Sequence, residues 1–319
     1  MNIKKIGLTA LAGALVSVSA NAADLSVTGS ASLGFAGEEK QSTGNGWTMA
    51  TGVTFAASAE MDNGWVVSTS QTLNNDRAAE AIDNSSLTID MGDAGSLTFY
   101  GDGGSGAVSL MDDTTPTAGE ESWDDVTGGT DHVSGATGDD TFLYTNSSLM
   151  DGVTVKVAYT PSEAGAASPA AVSASVESSV DYTVTYTGIE NLTIGAGAGE
   201  NNNAGPTNSY DMTVLNATYT YDAISIGWST NEADSNKANE DRTLTAFGIS
   251  YAVNDDLSIS LNSSETEVEG GTDQEAFGIS ASMVVGSMTI SANHNSIENT
   301  GGTAGDDRSG YALNLAFAF

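Results

Sequence analysis

Between residue 24 and residue 319 nearly every segment outside the long connections alternates: apolar side chains recur at every second position, with Thr, Ser, Gly, Asn or Ala between them. Leu25, Val27, Ala31, Leu33 and Phe35 follow this pattern, as do Val153, Val155, Val157 and Tyr159, then Val180, Tyr182, Val184 and Tyr186, and later Phe247, Ile249, Tyr251 and Val253. A period of two marks a strand with one apolar face, and no stretch carries the 3.6-residue stripe of a helix. Sixteen strands are predicted, near 24–36, 47–60, 64–73, 85–91, 95–101, 141–148, 152–160, 178–187, 191–199, 210–221, 223–230, 242–253, 256–264, 275–284, 287–295 and 309–319.

The connections carry more information than the strands. Seven are tight, such as "MDNG" at 61, "MGDAG" at 91 and "LMDG" at 149, and eight are longer and rich in Gly, Asn, Asp, Glu, Ser or Pro. Short and long alternate strictly. A transmembrane β-barrel turns tightly at its periplasmic end and loosely outside, whereas a β-sandwich has no reason to sort its connections. The final "GYALNLAFAF" places Tyr311, Leu313, Leu315, Phe317 and Phe319 on one face. Such a strand is suited to lipid, and it must pair with the first strand to leave no open edge. The fold expected is therefore all-β: a transmembrane antiparallel barrel of about 16 strands, wide enough at that number to hold a water-filled channel.

Composition sharpens the compartment. "MNIKKIGLTALAGALVSVSANA" sets Lys4 and Lys5 before an apolar run and ends on a small-residue cleavage pattern, so residues 1–22 are expected to be a signal peptide and 23–319 the single barrel domain. The chain has no cysteine, which removes disulfide and thiolate chemistry. Of 8 basic and 42 acidic residues, the signal removes two basic ones, so the mature chain stands at 6 − 42 = −36. Phosphate backbones repel such a surface, and nucleic-acid partners are excluded.

The mature start "ADLSVTGSASLGF", the unit "TIDMGDAGSLTFYG", the hairpin "FLYTNSSLMDGVTVKVAYT" and the terminal "YALNLAFAF" together resemble the general porins of the Gram-negative outer membrane, most closely the alphaproteobacterial type. The resemblance spans the mature chain. It implies a sixteen-stranded barrel in outer-membrane lipid, a homotrimer with the stretch 74–83 as a candidate latch, and a third long loop folded inward to narrow the pore. It also implies basic residues on the wall facing acids on that loop. This chain has too few Lys and Arg for such a basic cluster.

The third long connection, 102–140, carries ten carboxylates and no Lys or Arg. By the resemblance, Asp102, Asp112, Asp113, Glu120, Glu121, Asp124, Asp125 and Asp131 would line a constriction that attracts cations. "GDGGSG" at 101–106 satisfies the dinucleotide pattern G-x-G-x-x-G, but no βαβ unit follows and the surroundings are strongly negative. Its glycines instead let the chain bend off the strand into the lumen. His132 and His294 are the only histidines, and no nucleophile elbow or HExxH helix accompanies them, so no enzymatic activity and no cofactor are expected. The clustered carboxylates could hold Ca²⁺ weakly through oxygen ligands. Lys156 and Arg242 have the parity of lumen-facing residues, and Trp47, Trp65, Tyr100, Tyr159, Tyr221, Tyr251 and Tyr311 sit near strand ends, as interfacial girdles require. The function expected is passive diffusion of small hydrophilic solutes and ions, with cations preferred. The alternatives are a substrate-specific channel and, in another class, a secreted acidic surface protein.

Overall fold

The computed structural model describes residues 24–39, 46–74, 82–111, 114–129, 137–161, 177–202, 209–238 and 240–319; the expected signal peptide and most of the candidate latch lie outside them. Sixteen strands form one closed antiparallel barrel. They are β1 (Asp24–Glu38), β2 (Trp47–Glu60), β3 (Val66–Asn74), β4 (Ile82–Asp90), β5 (Ser96–Asp102), β8 (Thr141–Met150), β9 (Val153–Thr160), β10 (Ser179–Ile189), β11 (Leu192–Asn201), β12 (Tyr210–Tyr221), β13 (Ile224–Ser235), β14 (Arg242–Ala252), β15 (Leu257–Val268), β16 (Gln274–Val285), β17 (Met288–Glu298) and β18 (Arg308–Ala318). Two short strands, β6 (Gly104–Ser105) and β7 (Thr137–Gly138), form a separate ribbon within the third long connection.

Each strand pairs with its neighbours in sequence, and β18 closes on β1 with Leu33 opposite Leu315. Closure extends to the last residue: Gly29 and Phe319 exchange two backbone hydrogen bonds of 2.9 Å. No strand edge is then left for lipid to face, where unpaired backbone groups cost several kcal/mol each. The two-residue turns at 190–191 and 222–223 each place one residue at positive φ, Asn191 at 64° and Asp222 at 53°. Tight hairpins require this twist, and Asn and Asp tolerate it best among residues with side chains.

The outward positions are the apolar ones. Val27, Phe55, Tyr182, Ile226, Phe247, Ile279 and Tyr311 are all exposed on the outer face, while their sequence neighbours point inward. Of the aromatic residues expected in girdles, Trp47, Trp65, Tyr159, Tyr221, Tyr251 and Tyr311 are exposed. Tyr100 is different. Its neighbours Leu97 and Phe99 hold the outer face, so Tyr100 points into the barrel and packs on Ala107, Leu143 and Ala158.

Several strands run beyond the sequence expectation at the loop end. β13 continues to Ser235, β15 to Val268 and β17 to Glu298. There the outward residues are Glu232, Asp234, Glu265, Glu267 and Glu298, so the apolar alternation stops while the hydrogen-bonded ladder continues. These ends stand above the apolar band, where the outer face no longer has to be greasy.

Candidate functional site: the inner loop

The third long connection leaves β5 at Asp102, beside a register shift in the β4–β5 pairing, and Gly103 turns with φ of 65°. Its backbone is pinned on both sides: the Gly103 N–H donates to Asp139 at 3.3 Å and its carbonyl accepts from Asn84 at 3.0 Å. The β6–β7 ribbon forms the root, and the chain then turns into the barrel.

Its course is fixed by inward residues of successive strands. Asp181 of β10, fully buried, accepts the backbone N–H groups of Ala107 and Val108 at 2.6 and 3.1 Å. Val108 and Met111 pack on Met212, Val214 and Ala233. Asn262 donates to the carbonyl of Pro116 at 3.1 Å, and the hydroxyls of Thr117, Ser260 and Ser280 meet within 2.6–3.3 Å. Trp123 covers Leu244 and Ala246, and Val126 covers Ala276 and Ile297. Asn295 donates to the carbonyls of both Glu121 and Asp124 at 2.8 Å, and Asn293 to the Asp125 carboxylate at 2.6 Å.

The far end is clamped at the barrel seam. The Thr127 N–H donates to Glu38 of β1 at 3.2 Å, and its carbonyl accepts from Arg308 of β18 at 2.6 Å. Arg308 also pairs with Asp306 at 2.7 Å and Glu38 at 3.7 Å. The segment thus crosses the lumen along the inner wall from β10 around to β1. Among the described residues, every buried apolar side chain lies either on this loop or on the wall beneath and around it.

The carboxylates of the loop occupy different environments. Glu120 and Asp125 are exposed to the lumen, Asp124 is half-buried, and Glu121 is turned toward the wall with 2 % exposure. Ligand oxygens of Glu120, Glu121 and Asp124 all lie within 4.8 Å of one another, a spacing that could hold a hard divalent cation. Asp102 stays at the root, half-buried and away from the wall-lying segment, while Asp112, Asp113, Asp131 and His132 fall outside the described residues. His294 is exposed on the outer face beside Tyr311.

Apart from Tyr100 and Glu38 at strand ends, the opposite wall is bare. The inward positions of β1–β5 carry Ser30, Ser32, Thr54, Ser70, Thr72, Thr88 and Thr98 along their middles, and among the described side chains of these strands none is buried. Hydroxyl pairs join neighbouring strands there, Thr54 with Thr72 at 2.9 Å and Thr88 with Thr98 at 2.8 Å. No Lys or Arg occupies an inward position on these five strands. Lys156 is half-buried and shares the inward parity of buried Ala158 and Thr160 on β9; Arg242 opens β14 in line with buried Leu244 and Ala246. Sequence reading missed Asp181, Asn262, Asn293 and Asn295. Each is a polar residue at an ordinary inward strand position, and its partner lies 73 or more positions away along the chain.

A closed barrel with a greasy exterior, a hydroxyl-lined inner wall and a long connection folded across its lumen defines a membrane channel. A profile of the Gram-negative porins matches residues 7–279, and the chain belongs to that family, channels of the Gram-negative outer membrane. Among solved structures it is similar to an anion-selective porin from Comamonas acidovorans, with a TM-score of 0.71 at 12 % identity over 93 % of this chain and 100 % of that one. OmpT of Vibrio cholerae gives 0.67 at 14 % identity over 95 % and 99 %, and a mutant of the Rh. blastica porin 0.66 at 13 % over 93 % and 100 %. A search of curated protein sequences found no match. At these identities the structural likeness establishes the fold.

Proposed function

We propose that this porin is a passive diffusion channel for small hydrophilic solutes, that it prefers cations, and that it works as a homotrimer. The observation that carries the selectivity is one-sided charge. Glu120, Asp124 and Asp125 stand on the inner loop, and the hydroxyl wall of β1–β5 offers no cation to offset them. Passage down a gradient needs no cofactor and no covalent step; pore width and negative potential do the filtering. The Comamonas relative is named anion-selective, so the fold itself does not set the sign of the filter.

Bilayer recording under a KCl gradient tests this reading. At 0.01 M salt the screening length is about 30 Å, and at 1 M about 3 Å, so cation preference is expected to be strong at low salt and to fade at high salt. The combined variant Glu120→Gln, Asp124→Asn, Asp125→Asn is expected to move the reversal potential clearly toward zero. An unchanged potential in a folded variant would place the loop outside the conduction path. A flux that rises linearly with solute concentration would separate a diffusion pore from one that holds a particular substrate.

The trimer draws support from the outer face of β3. Thr69 and Gln71 are exposed there between Val67 and Leu73, in mid-strand, where lipid contact would leave an amide without partners. A second copy of the chain would cover them. Three-step closure in bilayers and a heat-dissociable trimer on native gels are the expected results.

A further inference from the structure

An acidic loop inside an acidic barrel has to be held by something other than ion pairs, since residues 23–319 carry six basic residues in all. The wall beneath the loop shows what does the holding. The strand registers align Gly248 with Asn262, Asn262 with Gly278, Gly278 with Asn295, Asn295 with Gly310, and Gly310 with Glu38. This is one hydrogen-bonded row running across five strands and the seam, in which glycine alternates with a longer polar side chain.

The loop follows that row. A Cβ on Gly248 would stand 2.8 Å from the Pro116 carbonyl oxygen and 2.7 Å from the Asn262 amide nitrogen. On Gly278 it would stand 3.1 Å from the Ser122 Cα and 2.5 Å from the Asn295 Oδ1, and on Gly310 it would collide with the carbonyl of Asp125. A contact below 3.0 Å forces a displacement: of the loop backbone at Gly248 and Gly310, and at Gly278 of the Asn295 amide that holds the loop. None of the three glycines has a left-handed φ, so what they supply is space. Glycine inside a strand costs roughly 0.5–1 kcal/mol relative to alanine, and three strands carry it on the same row. Between the glycines, Asn262 and Asn295 reach over to hold three loop carbonyls, and Glu38 takes the Thr127 N–H.

We propose that this glycine–asparagine row is the positioning element of the inner loop: the glycines let its backbone lie directly on the sheet, and the asparagines fix its register. The bore, and the places of Glu120, Asp124 and Asp125, are then set by the wall as much as by the loop. Amide-to-carbonyl bonds between neutral groups are not screened by salt as ion pairs are, so the loop stays seated across salinities that would loosen a charged latch. The electrical part of this inference rests on the proposed conduction past the loop; the seating itself does not.

Hydrogen exchange followed by mass spectrometry on the full-length folded porin separates the two. In the double variant Asn262→Ala, Asn295→Ala, amides of 114–129 are expected to exchange at least tenfold faster, with the barrel strands unchanged. Gly278→Ala should do the same and also change single-channel conductance, while Ser282→Ala, on the same inner face of β16, should match the wild type in both. Loop exchange within twofold of wild type in the folded asparagine variant would overturn the proposal. That variant adds no volume, so it decides the matter even if Gly278→Ala does not fold. Faster exchange with unaltered conductance would uphold the row and sink the conduction reading instead.

Discussion

The two halves of the inner wall are made from the same alternating strands, yet they behave differently. Beneath the loop, β12–β17 turn Met212, Val214, Leu244, Asn262, Asn295 and Ile297 inward and bury them. Across the lumen, β1–β5 turn Ser and Thr inward and bury none of them. The first half is a packing surface and the second is a wetted one. A barrel whose outer face must be apolar has its inner face free, and this chain divides that freedom between a seat for the loop and a bank for the water.

The hardest test of that division is to remove the loop's anchor. Trp123→Ala takes away the indole that covers Leu244 and Ala246, and truncations of buried Trp typically cost 3–5 kcal/mol. It is expected to undock the loop and change conductance while the barrel still assembles, as read by bilayer recording and heat-modifiable gel mobility. Strand β9 allows a slightly smaller test, because it separates the inner face from the outer. Val155→Arg sends a charge toward lipid at about 2–4 kcal/mol if near the midplane and should impair assembly, whereas Lys156→Glu, on the inward parity, should leave assembly intact. The opposite pair of results would mean that the faces of this strand are exchanged. On the wetted half, Thr54→Lys places a cation across from the acidic loop and should lower cation preference measurably, with a stability loss of about 1 kcal/mol or less from the broken hydroxyl pair with Thr72. The smallest effect expected is from Thr98→Val, which breaks the 2.8 Å hydroxyl pair with Thr88 at about 1 kcal/mol or less, and a denaturant midpoint would detect it.

Strand number, order and facing were legible because lipid writes a period-two signal into every outward position, from Val27 to Tyr311. The strand ends were less so, since Glu232, Asp234, Glu265 and Glu267 keep the ladder while abandoning the apolar signal. Tyr100 was misplaced because an aromatic near a strand end satisfies a girdle and a lumen contact equally; the parity set by Leu97 and Phe99 decides between them. The inner loop announced itself by length and acidity, but its seat did not. Asn262, Asn295 and Gly278 look like any neutral wall residues until the register lines them up, and Asp181 sits in a run, "SVDYTVTY", whose periodicity says strand and nothing of a loop root.

The clamp on Thr127 bears on how the molecule comes together. Its two jaws, Glu38 and Arg308, belong to the first and last strands and meet only across the seam where β1 pairs with β18. In a sheet that has not yet curled shut they are at opposite edges. The loop can settle on its middle contacts early, because β12–β17 are sequence neighbours, but its far end has nothing to grip until the ring is complete. Full seating of the loop is therefore a late event in assembly, and a channel with its filter in place is one whose wall has already zipped.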